Sequence, residues 1–143
     1  MVHTPAKSEE VELISRDLVL KMKGEWVEAF NDPYVIAGQG TVALELLSQV
    51  SDLDVILGPI GGGGLLSGVS LAAHEMSSKI RIYACEPAGA LDAIYSVQKN
   101  RIVSQNNPQT IAEGLRTSIG SLTLPILREH LAGFFVVEEE EIV

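Results

Sequence analysis

Four consecutive glycines at positions 61–64 constrain the fold of this chain more than any other feature. They follow the short apolar run 55–57, which is typical of a buried strand, and they precede residues 65–77, whose apolar side chains recur at helical spacing. Glycine reaches positive φ without steric cost and has no Cβ to keep a ligand away from the backbone. The first N–H groups of a helix have no partner within that helix. This order of elements therefore predicts an anion site, most often for a phosphate group.

The residues around the glycines indicate which class of phosphate ligand the loop could bind. A Walker loop requires a lysine directly after them, and none stands there. A dinucleotide fingerprint requires Gly-x-Gly-x-x-Gly, and residues 62–67 nearly fit it, with Ser67 in the last position. Glu86, at the end of the next predicted strand, lies where a ribose-binding acid is expected. A Rossmann-like nucleotide-binding domain therefore remains an alternative, as does a loop that only allows close packing.

Four stretches of the chain carry a resemblance to a known family. Gly-Pro-Ile-Gly-Gly-Gly-Gly-Leu-Leu-Ser-Gly at 58–68 resembles the phosphate-binding loop of the serine/threonine dehydratase and serine racemase family. These are pyridoxal-phosphate enzymes of fold type II. Asp-Pro-Tyr-Val-Ile-Ala-Gly-Gln-Gly-Thr at 32–41, Cys-Glu-Pro at 85–87 and Thr-Ile-Ala-Glu-Gly-Leu at 110–115 are similar to three other segments of that family. The resemblance covers residues 30–142 in order.

The resemblance implies which backbone groups meet the cofactor. Gly114 is expected to bring its backbone close to the cofactor ring, although Glu113 stands where the family usually has aspartate. A valine at Gly62 or Gly63 is expected to push its Cβ into the phosphate site. The N–H groups that are expected to bind the phosphate of pyridoxal 5'-phosphate belong to Gly61, Gly62, Gly63, Gly64 and Leu65.

A cation site is a second implication of the resemblance. Glu86, the carbonyl of Ala90 and Asp92 correspond to a site at which many relatives bind Mg²⁺, Mn²⁺ or Ca²⁺. Carboxylate and carbonyl oxygens suit these hard cations. The alternative is that Glu86 caps a turn and Asp92 caps the following helix.

The lysines of the chain do not match the catalytic lysine of the family. The resemblance implies that the Schiff-base lysine lies upstream, in a Ser-x-Lys-x-Arg-Gly type segment. We therefore assign no catalytic residue and expect a fragment of a PLP-dependent L-serine/L-threonine ammonia-lyase (dehydratase) or serine racemase, inactive alone. A non-catalytic subunit piece is a further alternative. The lysines without the expected context are Lys7, Lys21, Lys23, Lys79 and Lys99.

Strand and helix patterns alternate along the chain. Periodicity predicts helices at 8–22, 38–50, 65–77, 90–99 and 124–131, and strands at 26–30, 55–57, 80–85 and 133–137. This alternation predicts an α/β fold with an open, mostly parallel sheet. The resemblance implies a three-layer arrangement, as part of the large domain of a fold type II enzyme. We expect one partial domain over residues 1–143, with a loose start at 1–7.

Composition limits the partners and the compartment. The 143 residues carry 10 basic and 19 acidic side chains, a net charge of −9, which argues against nucleic acid and anionic membranes as partners. The single cysteine, Cys85, fits a reducing compartment, and a cytoplasmic protein is expected. The resemblance implies serine or threonine as substrate of the intact enzyme. The family segments that are missing from this chain should leave apolar surface uncovered, and this surface should favour a homodimer.

Overall fold

The computed structural model describes residues 8–143, so the loose start expected at 1–7 lies outside the described residues. No helix within 8–143 has both the length and the apolar character that a membrane crossing needs. Short 3-10 helices lie at Glu113–Leu115 and Glu139–Glu141. The regular elements in chain order are α1 (Ser8–Met22), α2 (Pro33–Gln49), β1 (Val55–Pro59), α3 (Gly64–Met76), β2 (Arg81–Pro87), α4 (Asp92–Lys99), α5 (Thr123–His130) and β3 (Leu131–Val137).

The three strands form one parallel sheet in the order β1-β2-β3. Side chains alternate between the faces of a strand, so Ile56, Ile82 and Ala84 share the face that packs into the core. Tyr83 and Phe135 share the opposite face, where their rings lie 5.4 Å apart between centroids and Phe135 is about half exposed. Helices connect the parallel strands, as parallel pairing requires. The α/β class and the parallel sheet predicted from the sequence are confirmed.

Two glycines allow α2 and α3 to pack closely. A Cβ built on Gly68 would lie only 2.1 Å from the carbonyl oxygen of Ile36, and one built on Gly40 would lie 3.1 Å from the carbonyl oxygen of Gly68. The contact at Gly68 is too short for any larger residue, and the contact at Gly40 leaves little room for one. The helix that begins at the glycine run is thereby held firmly against α2. The last glycine of the 58–68 stretch therefore serves helix packing.

The region between α1 and β1 differs from the prediction. Residues 26–30 form no strand, because none of the described residues offers them a ladder partner. The next helix begins at Pro33 rather than at residue 38. Its N-cap is Asp32, whose carboxylate accepts hydrogen bonds from the N–H groups of Tyr34 and Val35. An Asp-Pro pair is favourable at a helix start as well as in a turn.

Candidate functional site

The glycine run forms a tight loop between β1 and α3. Gly61 and Gly63 have φ angles of 49° and 91°, in the left-handed region that other residues rarely adopt. Gly63 is the N-cap of α3, and the helix begins at Gly64. The backbone of the run is buried. The loop follows the carboxyl end of β1, which is the edge where ligands bind in parallel α/β sheets.

Several N–H groups of this loop have no acceptor within residues 8–143. The N–H of Gly63 donates to the carbonyl of Ile60 over 2.8 Å. Among the described residues, no acceptor lies within hydrogen-bond reach of the N–H groups of Gly61, Gly62, Gly64 or Leu65. Unpaired N–H groups in a buried backbone are costly unless a ligand or water pairs with them. Together with the positive end of the α3 dipole, these donors suit an anion.

Two glycines of the loop are packed against neighbouring side chains. A Cβ built on Gly62 would lie 2.5 Å from the ring of Phe30, and one on Gly63 would lie 2.6 Å from Leu127 Cδ1. A larger residue at Gly62 or Gly63 would therefore collide with these side chains. That its Cβ would also enter the phosphate site stays a prediction. The absence of side chains at these glycines lets Phe30 and α5 pack directly against the loop.

The carbonyl of Gly62 is fixed from the start of α5. It accepts hydrogen bonds from the hydroxyl of Thr123 over 2.8 Å and from the N–H of Gly120 over 3.2 Å. Thr123 is fully buried. The side chain of Asn31 holds the same turn, because its Oδ1 accepts from the N–H of Leu122 over 2.8 Å. These contacts fix the orientation of the peptide that carries Gly62.

The 3-10 helix Glu113–Leu115 borders the other end of the loop. A Cβ built on Gly61 would lie 3.1 Å from the carbonyl oxygen of Gly114 and 3.2 Å from Leu115 Cδ2. Gly114 itself is exposed, and a Cβ built on it would meet nothing within 4 Å. Gly114 thus lies next to the loop, while the space beside it is open.

Glu86 and Asp92 are buried at the start of α4. Both oxygens of Glu86 accept backbone hydrogen bonds, from the N–H of Ala93 over 3.1 Å and from that of Ile94 over 3.0 Å. Glu86 therefore caps α4, whereas the alternative interpretation assigned the helix cap to Asp92 and gave Glu86 only a turn. Oδ1 of Asp92 accepts from Nε2 of Gln105 over 2.8 Å, whereas Oδ2 is buried without a partner in the described residues.

The electrostatics of this pair favour a positive charge nearby. Burial raises the pKa of Glu86 to about 7, with a further rise from Asp92, although the N–H groups of α4 oppose it. Burial likewise raises the pKa of Asp92 to about 6, opposed by the hydrogen bond from Gln105. Two buried carboxylates that bind protons this tightly are also suited to a cation.

Sequence reasoning missed two features of the structure. Phe30 and Thr123 support the glycine loop, and neither lies within the stretches that define it. His74 and His130, for which no role was predicted, are hydrogen-bonded to each other across 56 positions of sequence. None of these contacts leaves a periodic signal, because each joins segments that are distant in the sequence.

Comparisons of the sequence and of the structure with known proteins all lead to pyridoxal-phosphate dependent enzymes. The family model described as "Pyridoxal-phosphate dependent enzyme" matches residues 1–143. The chain is 42% identical over 130 residues to a serine racemase of Dictyostelium discoideum, covering 90% of this chain and 40% of that protein. The structure of maize serine racemase superposes with a TM-score of 0.92 at 40% identity, over 97% of this chain and 44% of that one.

A threonine deaminase is also similar to this chain. The structure of a threonine deaminase from T.th. superposes with a TM-score of 0.86 at 41% identity, over 90% of this chain and 46% of that one. The chain spans about two fifths of the length of the curated relatives it matches.

Proposed function

The chain belongs to the family of pyridoxal-phosphate dependent enzymes, and we propose that it forms the phosphate-binding part of a serine/threonine ammonia-lyase or a serine racemase. The observation that carries this proposal is the group of N–H donors in the glycine loop and at the start of α3 that have no acceptor in the described part of the chain. The similarity to serine racemases and to a threonine deaminase supports both activities equally. The substrate of the intact enzyme is accordingly serine or threonine.

The loop binds the phosphate through backbone groups. The N–H groups of Gly61, Gly62, Gly64 and Leu65 donate to the phosphate oxygens, and the dipole of α3 adds to the attraction. The N–H of Gly63 also belongs to the predicted set, but it holds the turn through Ile60. Gly114 borders the loop on its open side and leaves room for the cofactor ring.

Pyridoxal phosphate, when bound, supplies an electron sink for the charge that develops when an amino acid loses its α-proton. The residues of this chain bind and orient its phosphate. Lys79 precedes β2, at the end of the sheet opposite the loop, and Lys99 ends α4. We expect neither lysine to reach the cofactor aldehyde, so the chain alone should not turn over serine or threonine. Sustained formation of pyruvate, 2-oxobutyrate or D-serine, abolished by replacing one lysine, would contradict this.

A hard divalent cation, Mg²⁺, Mn²⁺ or Ca²⁺, binds beside Glu86 and Asp92 with the Ala90 carbonyl as a further ligand. The unpaired Oδ2 of Asp92 and the raised pKa values of both carboxylates support this proposal. The hydrogen bonds that Glu86 accepts from α4 do not oppose it, because each carboxylate oxygen has more than one lone pair. The cation would balance two negative charges that burial otherwise makes costly.

The cation proposal predicts a metal-dependent stability. At pH 8, Mg²⁺ or Ca²⁺ in excess should raise the melting temperature of the chain, because a ligand that binds only the folded state stabilises it. Asp92→Asn should lose this response, and Asp17→Asn, on the exposed surface of α1, should keep it. An unchanged melting temperature in the parent chain would count against the site.

A second copy of the chain covers the exposed face of the sheet. Leu57 and Phe135 are 55% and 52% exposed there, and Tyr83 lies between them. Contiguous apolar surface of this kind is typical of an interface. Analytical ultracentrifugation should give a dimer mass, and Phe135→Lys should shift it toward the monomer. A monomeric parent chain at all concentrations would exclude the homodimer.

Ligand titration separates this function from nucleotide binding. Isothermal titration calorimetry should detect binding of pyridoxal phosphate to the chain and no binding of NAD. Inorganic phosphate should compete with pyridoxal phosphate for the loop. The family match does not favour the Rossmann-like alternative. Binding of NAD with no binding of pyridoxal phosphate would reverse the assignment.

A further inference from the structure

Two histidines from different helices meet at the far end of α3 from the glycine loop. Nδ1 of His74 and Nδ1 of His130 lie 2.9 Å apart. His74 is near the end of α3, and His130 is the last residue of α5. Both are partly buried. His74 lies ten positions after the start of α3, about 15 Å along the helix at 1.5 Å per residue, so the pair is separate from the loop.

The hydrogen bonds determine where the ring protons lie. Nε2 of His74 is 2.9 Å from the carbonyl oxygen of Ile80, which can only accept, so Nε2 carries a hydrogen. A neutral His74 then has a lone pair on Nδ1. The Nδ1 of His130 must supply the hydrogen that lies between the rings. The Nδ1–H of His130 thus donates to the lone pair on Nδ1 of His74, and loss of that one hydrogen from Nδ1 would leave two nitrogen lone pairs facing each other.

We propose that a borderline divalent transition metal, Zn²⁺, Ni²⁺ or Cu²⁺, binds between the Nδ1 atoms of His74 and His130. Two nitrogens at 2.0–2.1 Å from a metal lie about 3.4 Å apart at a tetrahedral angle, so the 2.9 Å pair must widen by about half an ångström. His130 ends a short helix, where a side chain can rotate by that amount. Its proton moves from Nδ1 to Nε2, and both rings stay neutral.

The surroundings of His74 are those of a metal ligand. Ligating histidines generally donate their other ring N–H to a carbonyl or carboxylate, which fixes the tautomer and orients the ring. The carbonyl of Ile80 does this for His74 before any metal arrives. Preorganisation of this kind lowers the cost of binding.

The ligand set also determines which metals bind. No third His, Cys, Asp or Glu joins the pair within residues 11–143, so water completes the coordination and the metal exchanges readily. Imidazole prefers Zn²⁺, Ni²⁺ and Cu²⁺, whereas Mg²⁺ and Ca²⁺ require oxygen ligands. The pair therefore differs in selectivity from the oxygen site proposed at Glu86 and Asp92, and it does not depend on the proposed function.

A tag-free chain tests the site by its response to metals. Zn²⁺ and Ni²⁺ should raise the melting temperature, and calorimetry should give one equivalent of Zn²⁺ bound by the pair. His74→Gln and His130→Leu should each weaken Zn²⁺ binding by roughly tenfold or more. His3→Gln is the matched control and should keep the Zn²⁺ affinity of the parent chain. An unchanged Zn²⁺ affinity in His74→Gln, or no response in the parent, overturns the proposal.

A second measurement needs no variant. Substoichiometric Cu²⁺ added to the parent chain should broaden the imidazole NMR signals of His74 and His130 first, because paramagnetic broadening falls steeply with distance. The signals of His3 should broaden later. Broadening that begins at His3, or that spares either member of the pair, overturns the proposal.

Discussion

Replacing Leu65 with proline removes one N–H group from the proposed phosphate site without requiring the chain to refold. Leu65 is the second residue of α3, where the N–H has no partner within the helix. Proline has a φ near −65°, which suits the first turn of a helix. The preceding residue, Gly64, has no Cβ to collide with the proline ring, which reduces the usual restriction on that position. The substitution therefore isolates one backbone donor.

The expected loss of affinity follows from the charge of the acceptor. A hydrogen bond to a charged group contributes about 1.5–3 kcal/mol, and each 1.4 kcal/mol is tenfold in affinity. Leu65→Pro should therefore bind pyridoxal phosphate about 10- to 150-fold more weakly than its matched control, Leu65→Ala. The alanine variant loses the same side chain, which packs partly against the core, but keeps the N–H.

The assay is calorimetric titration of both variants with pyridoxal phosphate and with pyridoxal, which lacks the phosphate. The two variants should differ in affinity for pyridoxal phosphate and should have the same affinity for pyridoxal. Circular dichroism should show equal helix content, so that the comparison concerns binding alone. If Leu65→Pro and Leu65→Ala bind pyridoxal phosphate equally, the backbone-donor explanation is wrong.

Three further predictions concern the buried carboxylates, the open side of the loop and its support. The pKa values of Glu86 and Asp92 rise from 4.5 and 3.8 to about 7 and about 6 on folding, so the folded metal-free chain binds protons more tightly and its stability should fall as pH rises from about 4 to about 7. Glu86→Gln should weaken the pH dependence of the unfolding free energy measured in urea titrations. If the variant shows the same pH dependence as the parent chain, Glu86 is not its source. Gly114→Leu should keep the fold and weaken pyridoxal phosphate binding, whereas Gly38→Ala, equally open, should leave binding unchanged; equal binding by both variants would remove Gly114 from the site. Thr123→Val should cost about 1–3 kcal/mol of unfolding free energy through the lost bond to Gly62, and Thr123→Ser should cost less; equal stability of the two variants would exclude the hydroxyl.

The glycine loop shows what the sequence could predict about this fold. Strand β1, the loop and α3 are consecutive in the chain, so their order alone predicts an anion site at a helix start. The helix α1 was likewise predicted over residues 8–22, because its periodicity and the glycine that follows it are local signals. Parallel pairing of β1 and β2 followed from the intervening helix.

What the sequence could not predict depends on packing between distant segments. The run 26–30 has strand-like composition, but a strand requires a partner, and Phe30 instead packs on the glycine loop. The buried face of α2 includes Ala43 and Leu47, while Val42 is about half exposed, because Gly68 of α3 sets how α2 is rotated. The contact between His74 and His130 has the same origin. The predicted roles of Gly114 and of the cation ligands stay predictions.

The glycine loop is proposed to bind the phosphate of the cofactor through its backbone N–H groups. Titration of the ¹⁵N-labelled chain with pyridoxal phosphate, followed by amide chemical shifts, tests this proposal most directly. If these backbone groups bind the phosphate, the largest shifts should occur at the N–H groups of Gly61, Gly62, Gly64 and Leu65, and the shifts there should be much smaller with pyridoxal. Equal shifts with both ligands, or shifts confined to residues away from the start of α3, would contradict the proposal.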